Sequence, residues 1–322
     1  MKKNILHFCV VLAVTAFYSC KKDEIKEMTP IATNELGQDS IPSSMLNMVD
    51  ESFPQLSATG NFKIIAGKLD ASAQVDGNGK KARFLSPQGV FVNLDGSLLV
   101  ADFNGDIRKI THDTVVSTVH IPTDPDGFTF AGGTDVASTM DGTIMVVAEQ
   151  EYWLYSNGVS HFHGFGGHNE VGMGVDRDPS GKYFWFTDFT GILAVKPSGE
   201  TVPTQPLYSN QLGGFTSMSA SNNGVKYFAS TSQLYKYTKS GVSAQIFKNF
   251  TFTDIRSVAS TRDGFKVYVV DRGDIKAISN NSVGNQTIKT ILSGANVVGI
   301  GLSNSEKYLY FTARNTLNKL KL

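Results

Sequence analysis

The feature that most constrains this chain is a unit that recurs about every forty residues from residue 60 onward. Each copy contains an apolar strand, a tight turn, a second apolar strand, a polar loop and a third strand. The turns are anchored at residues 95, 141, 180, 223, 263 and 304, which are 46, 39, 43, 40 and 41 residues apart. Such a period, with several short strands in each unit, is typical of β-propeller blades. Six anchors therefore predict six blades.

The two ends of the repeat region predict how the ring closes. The last unit finishes with a strand at residues 316–321 and has no outer strand of its own, whereas an unassigned strand lies upstream at residues 61–67. Adding that strand to the last blade closes the ring and covers an edge that would otherwise promote aggregation. We therefore expect an all-β, six-bladed propeller over residues 60–322, rather than an open solenoid that leaves the upstream strand unexplained.

Composition agrees with this fold and excludes several classes of function. Charged residues make up only 18% of the chain, and Gly occurs 31 times, as expected for a turn-rich β protein. The 29 basic and 29 acidic residues balance, so the basic excess of a nucleic-acid-binding protein is missing. Two Cys residues cannot form a disulfide-based scaffold or a Cys-rich zinc module.

The N-terminus resembles a bacterial lipoprotein signal. Lys2 and Lys3 precede an apolar stretch at residues 5–17, and Cys20 follows where that stretch meets charged residues. The resemblance implies that residues 1–19 are removed and that Cys20 is acylated, with an ordinary signal peptide and a buried helix as alternatives. Removing residues 1–19, which hold two Lys and no acidic residue, leaves 27 basic against 29 acidic residues.

The segment after Cys20 predicts a tether and a location. Residues 20–59 are rich in Ser, Thr, Pro and acidic residues and show no sustained period, which is typical of a flexible linker. The expected partner of this end is a membrane, reached through lipid on Cys20. The resemblance implies an outer-membrane lipoprotein of the cell envelope, either periplasmic or surface-exposed.

The first unit also carries a recognisable pattern. Its residues 76–90 read DGNGKKARFLSPQGV, residues 100–102 read VAD, and residues 107–110 read IRKI. This run resembles an NHL repeat, and the other five units keep its spacing and its turn. The resemblance implies a six-bladed NHL-like propeller across residues 60–322. It implies no particular activity, since such propellers bind proteins, RNA or small molecules, and a few are lyases or lactonases.

Acidic side chains recur directly after the second strand of four units, at Asp102, Glu149, Asp188 and Asp271. A catalytic role would require these carboxylates to converge on one centre. The NHL resemblance instead implies that each one accepts hydrogen bonds from loop amides of its own blade, and we expect this structural role.

The residues just before each innermost strand are expected near the mouth of the central channel. Superimposing the repeats places there Gln88, Thr134, Val171, Thr216, Arg256 and Val298, and two positions earlier Ser86, Gly132, Asn169, Gly214, Asp254 and Asn296. From these and the adjacent Glu170, the candidate ligand contacts are Gln88, Asn169, Glu170, Asp254, Arg256 and Asn296.

The same positions leave two kinds of ligand open. Oxygen donors of Asn, Asp and Glu are ligands for divalent cations, and propeller lactonases hold such a cation there. Arg256 would oppose a metal unless it pairs with Asp254, and it suits an anionic or polyhydroxyl ligand better. A separate group, His161, His163 and His168, could bind zinc or copper, or could be stacked or solvated loop histidines.

Two functions from different classes follow from these observations. The first is a non-enzymatic module that binds a glycan or a protein partner, without a cofactor and without nucleic acid. The second is a metal-dependent lactonase- or lyase-like enzyme with its site at the channel mouth. An architectural subunit of an outer-membrane assembly is a third hypothesis.

Overall fold

The computed structural model describes residues 60–148, 151–164, 174–187, 191–202, 214–238, 243–246, 250–279 and 286–322. These residues form β-strands joined by turns, with one short 3-10 helix at Gly79–Lys81. The strands, in chain order, are β1 (Phe62–Gly67), β2 (Gly77–Asn78), β3 (Pro87–Val92), β4 (Leu98–Asp102), β5 (Ile107–Ile110), β6 (Val115–Val119), β7 (Asp135–Ser138), β8 (Ile144–Ala148), β9 (Glu151–Ser156), β10 (Val159–Gly164), β11 (Gly174–Arg177), β12 (Phe184–Thr187), β13 (Ile192–Val195), β14 (Thr201–Val202), β15 (Phe215–Ala220), β16 (Lys226–Ser230), β17 (Leu234–Tyr237), β18 (Ser243–Ile246), β19 (Ile255–Ser260), β20 (Lys266–Asp271), β21 (Asp274–Ser279), β22 (Thr287–Leu292), β23 (Ile300–Leu302), β24 (Tyr308–Ala313) and β25 (Thr316–Lys321).

The strands form six antiparallel sheets, which are the six blades of a β-propeller. Blade 1 contains β3 to β6 from the inside outward, with β2 added at its outer edge. Blades 2 to 5 contain β7–β10, β11–β14, β15–β18 and β19–β22 in the same order. The predicted fold class and number of blades are confirmed. No helix in the described part of the chain is long and apolar enough to cross a membrane.

Blade 6 is completed by the N-terminal strand. β23, β24 and β25 are followed outward by β1, which lies antiparallel to β25 with Phe62 opposite Leu320 and Gly67 opposite Thr316. Just beyond this pairing, the Arg314 guanidinium forms an ion pair with Asp70. The predicted closure is therefore confirmed, and the outer edge of β25 is covered.

The tight turns between the first and second strands agree with the predicted anchors in five blades. Gly96 and Gly264, for example, have φ of +80° and +69°, a region that glycine adopts without strain. In blade 6 this conformation belongs to Glu306, with φ +57°, and its amide donates to the Ser303 carbonyl at 2.8 Å. The sixth turn is therefore anchored at Ser305, one residue later than the predicted position 304.

The hydrophobic core lies between neighbouring blades rather than in one central mass. Phe91, Trp153 and Phe186, from blades 1, 2 and 3, belong to one cluster, and four further clusters follow around the ring. The second strands are buried on both faces because a blade packs on each side. β4 and β8 are accordingly buried along their whole length.

The innermost strands of adjacent blades are joined by side chains. Ser217 Oγ accepts a hydrogen bond from the Val258 amide at 3.0 Å, and Ser257 Oγ accepts one from the Ile300 amide at 3.1 Å. Innermost strands diverge and cannot pair as a sheet, so their edge N–H groups need other partners. Polar side chains that face the channel supply those partners.

Glycine takes the corresponding position in blades 1, 3 and 6, whereas Asp135 takes it in blade 2. A Cβ atom at Gly89 would lie 2.8 Å from the Asp135 Cα, and one at Gly174 would lie 2.6 Å from the Ser217 Cα. A Cβ at Gly299 would lie 2.3 Å from the Gln88 carbonyl oxygen. The inner strands therefore approach most closely where the side chain is absent.

Candidate functional site

The predicted mouth residues meet at one end of the central channel. Gln88, Thr134, Thr216, Arg256 and Val298 line a cavity of about 300 Å³ where the chain enters each innermost strand. We call this cavity the mouth. Five of the six positions that the repeat pattern aligns therefore line one cavity.

The charged side chains of the mouth form an ion pair. Arg256 Nε donates to Asp254 Oδ2 at 2.8 Å, and the two side chains are 50% and 36% exposed. Another cavity beside them is also lined by Asn296 and Arg272. The candidate contacts Asp254, Arg256 and Asn296 thus lie together, and Gln88 shares the mouth with Asp254 and Arg256.

Neutral polar groups surround this pair. The hydroxyls of Thr134 and Thr216 donate to the carbonyls of Val147 and Ala229, at 3.1 and 3.2 Å. Their hydrogens are therefore engaged within their own blades, while the oxygen lone pairs of Thr216 can still accept. The Gln88 amide nitrogen donates to Ser86 Oγ at 3.0 Å.

Several predicted residues lie outside the described residues. These are Cys20, Glu149, His168, Asn169, Glu170, Val171 and Asp188. The predicted signal peptide and the whole predicted tether also lie outside this range.

The two described histidines of the candidate metal group lie on the outermost strand of blade 2. His161 is exposed, whereas the His163 ring is half-buried and stacks on Tyr152 with ring centroids 4.6 Å apart. Burial, together with His161, lowers the pKa of His163. Among the residues that the structure describes, no three His, Cys, Asp or Glu side chains are grouped as metal ligands. His163 thus matches the stacked alternative.

The two described acids that follow a second strand brace loops, as expected. Asp102 accepts hydrogen bonds from the amides of Leu85 and Ser86, at 2.9 and 2.6 Å. Burial raises the pKa of Asp102, although the two amide donors and Arg108 act to lower it. The carboxyl is part of blade 1 and does not reach the channel cavities.

Asp271 fixes the loop that carries the mouth. Its Oδ1 accepts from the amides of Thr253 and Asp254, both at 2.9 Å, and Lys276 pairs with its other oxygen. Burial alone would raise the pKa of Asp271, but Lys276 and the two amides outweigh it and lower the pKa. The position of Asp254, and thereby of Arg256, depends on this carboxylate.

A second cavity, about 350 Å³ in volume, lies at the opposite end of the channel and receives residues from all six blades. We call it the chamber. Its rim is formed by the residue that directly precedes each turn anchor: Leu94, Met140, Pro179, Asn222, Arg262 and Asn304. None of these was among the candidate residues. The signal that could have found them was their equivalent position in the repeat.

Two carboxyls lie in the chamber wall. Asp135 accepts from the amides of Val136 and Val175, at 2.9 and 3.1 Å, and Asp176 Oδ2 accepts from the Ala220 amide at 2.8 Å. Burial inside the ring raises the pKa of Asp135 to about 7 and that of Asp176 to about 6, although each accepts backbone hydrogen bonds. The two carboxyls are therefore sensitive to pH near neutrality.

Comparison with known proteins shows the fold. No protein-family model matches the chain, and no curated protein matches it. Its structure is similar to that of a protein of unknown function from Bacteroides thetaiotaomicron (15% identity, 82% of this chain and 76% of the other, TM-score 0.61).

Two further similar structures carry functional names. An auxiliary nutrient binding protein from the same organism has 13% identity over 80% of this chain and 75% of its own, with a TM-score of 0.60. A gluconolactonase from Xanthomonas campestris has 11% identity over 81% and 89%, with a TM-score of 0.58. At these identities the likeness establishes the six-bladed propeller and nothing finer.

Proposed function

We propose that this protein is a lipid-anchored, NHL-like propeller outside the cytoplasm that binds a glycan at the mouth without catalysing a reaction. The observation that carries the proposal is the Asp254–Arg256 ion pair, set among neutral hydrogen-bonding side chains and the buried carboxyl of Asp135. A sugar hydroxyl both donates and accepts. A mouth with mixed donors and acceptors matches that chemistry.

Different side chains of the mouth supply the hydrogen-bond donors and the acceptors. Arg256 uses its Nε for Asp254, and its two terminal nitrogens are further donors. The oxygen of Thr216 serves as an acceptor, because its hydrogen is directed to a strand carbonyl. The auxiliary nutrient binding protein with a similar fold supports a binding role for such a propeller.

The enzymatic alternative is a metal-dependent lactonase or lyase at the same mouth. The gluconolactonase with a similar fold is the reason to retain it. The Asp254–Arg256 ion pair argues against it, because a guanidinium bound to the carboxylate opposes a divalent cation at that oxygen. Asn169 and Glu170 would have to supply the remaining metal ligands.

Binding is tested with the full-length chain in a neutral detergent. Calorimetric titration with a panel of neutral oligosaccharides should find at least one that binds, and Asp254→Ala and Arg256→Ala should each weaken it about tenfold. Lys109→Ala, which removes an exposed cation from a strand of blade 1 away from the mouth, is the control. Unchanged affinity in both mouth variants contradicts the choice of site.

Metal analysis of the same preparation separates the two functions. A stoichiometric divalent ion that survives dialysis would favour the enzyme over the binding module. The anchor is tested separately with Cys20→Ser, which should abolish incorporation of labelled fatty acid and release the protein from the membrane fraction. Membrane retention of that variant would contradict the lipoprotein proposal.

A further inference from the structure

The rim of the chamber is apolar on one side and polar on the other. Blades 1 to 3 contribute Leu94, Met140 and Pro179, and the first two side chains are 53% and 66% exposed. Blades 4 to 6 contribute Asn222, Arg262 and Asn304 at the equivalent positions. Equivalent positions in a repeat have the same geometry, so this division arises from residue type alone. Exposed large apolar side chains at a cavity indicate a binding surface.

Two guanidiniums face this chamber. Arg177, at the end of β11, lies 5.2 Å above the Phe91 ring and is half-buried. Arg262 projects from the turn of blade 5, where its Nη2 donates to Asn304 Oδ1 at 3.4 Å. Burial lowers the pKa of Arg177, the nearby charge of Asp176 opposes this, and the charge of Arg262 adds to it, so the two cations are close enough to act on each other.

The carboxyls of the chamber accept hydrogen bonds from backbone amides and a hydroxyl, not from the guanidiniums. Asp176 accepts from the amides of Ala220 and Arg177 and from the hydroxyl of Ser219. Asp135 is bound to backbone amides of blades 2 and 3. In the ion pairs found within the described part of the chain, neither chamber arginine has a carboxylate partner. Near Arg262, Glu306 Oε1 accepts from the backbone amide of Arg262 at 2.7 Å and forms no ion pair with its guanidinium. Among the described residues, the two neighbouring guanidiniums thus share a cavity without an ion pair to a carboxylate.

We propose that the chamber binds a small organic anion, with its oxyanion between Arg177 and Arg262 and its apolar part against Leu94 and Met140. Planar guanidiniums bind carboxylate and phosphate oxygens through charge-assisted hydrogen bonds. A volume of about 350 Å³ lies within the range of small-molecule pockets, about 300–1,000 Å³. This site is separate from the mouth and does not depend on the function proposed there.

The test compares four probes by calorimetric titration of the full-length chain in a neutral detergent. Phenyl phosphate and benzoate carry both an oxyanion and an apolar ring, inorganic phosphate lacks the ring, and benzyl alcohol lacks the charge. We expect one of the two aromatic anions to bind at one site per chain, more tightly than inorganic phosphate and benzyl alcohol. Which aromatic anion binds more tightly distinguishes a phosphate ester from a carboxylate.

Variants assign the bound anion to the chamber. Arg262→Gln should weaken binding about tenfold or more, because a charge-assisted hydrogen bond is lost. Its matched control is Arg272→Gln, which removes an exposed arginine from the same blade on the side of the mouth and should change affinity less than about twofold. Arg177→Gln should weaken anion binding to a similar extent. If the Arg177→Gln variant does not fold, the affinity of Arg262→Gln alone decides the test.

Three results would overturn the proposal. The first is that neither aromatic anion binds more tightly than benzyl alcohol. The second is that Arg262→Gln binds the anion as tightly as the unmodified protein. The third is that Arg256→Gln, and not Arg262→Gln, abolishes binding, which would assign the anion to the mouth. Because glycan binding is measured with other probes, the chamber and the mouth can fail independently.

Discussion

Asp135 joins two blades directly, because its Oδ2 accepts a hydrogen bond from the Val175 amide at 3.1 Å. The same carboxyl lines both the mouth and the chamber. Since innermost strands cannot pair with each other, such side chains carry the contact between blades along the channel. A single residue thus contributes to the stability of the ring and to the electrostatics of both cavities.

The raised pKa of Asp135 predicts a pH-dependent stability. The folded state holds its proton up to a pKa of about 7, whereas the ordinary value is 3.8, so this contribution is complete below about pH 4 and is lost as the pH rises towards 7. Asp135→Asn should therefore gain stability relative to the unmodified protein between pH 5 and 8, on the order of 1–3 kcal/mol. Urea unfolding at several pH values measures this difference.

Asp126→Asn is the control for that measurement, because it removes one exposed loop carboxyl. A stability difference between Asp135→Asn and the unmodified protein that stays constant from pH 5 to 8 would contradict the assignment.

Gly174 should not tolerate a side chain. Its Cβ would lie 2.6 Å from the Ser217 Cα and 2.7 Å from the Met218 nitrogen, and backbone atoms cannot move aside cheaply. Gly174→Ala should therefore destabilise the protein by about 1–3 kcal/mol, measured by urea unfolding. In the control Gly142→Asn the new side chain meets open space, so this variant carries only the smaller cost of a φ of +87°, which Asn adopts more readily than most residues. Equal effects in the two variants would refute the close-contact explanation.

Asp271 should stabilise the loop that carries the mouth residue Asp254. Asp271→Ala leaves the amides of Thr253 and Asp254 without their acceptor, which should cost about 1–3 kcal/mol in urea unfolding. The lowered pKa of Asp271 means that its contribution is present above about pH 4 and is lost as the pH falls through the folded pKa. Asp113→Ala, at an exposed turn, controls for the lost charge. An effect of Asp271→Ala that persists undiminished at pH 2 would argue against an ionised Asp271.

Strand β1 should keep the ring monomeric. Deleting residues 60–67 exposes the edge of β25, so the chain should form larger assemblies, measured by size-exclusion chromatography with light scattering. The rescue variant attaches residues 61–67 after Leu322 through a short turn, since the Lys321 amide already donates to the Asn61 carbonyl at 3.2 Å. Assembly of the rescue variant to the same extent as the deletion variant would show that the edge is not the cause.

Part of the site was predictable because repeat position fixes geometry. Gln88 and Arg256 line one cavity, as their equivalent place in the unit predicts, and the Asp254–Arg256 pair is one of the two alternatives that the sequence leaves open for Arg256. The sixth turn was displaced by one residue because Glu306 replaces the usual glycine in the left-handed conformation. Local sequence signals therefore identified turns well where glycine marked them and less well where it was absent.

The chain's own sequence determined the period, the six blades and the closing strand, because strand alternation and turn residues are local properties that recur every forty residues or so. Only the tertiary structure decided which distant residues lie together in one cavity. Arg177 and Arg262 lie 85 residues apart in the chain and share one cavity only because the ring closes around it. The raised pKa values of Asp135 and Asp176 likewise arise from burial inside the ring, which no single repeat contains.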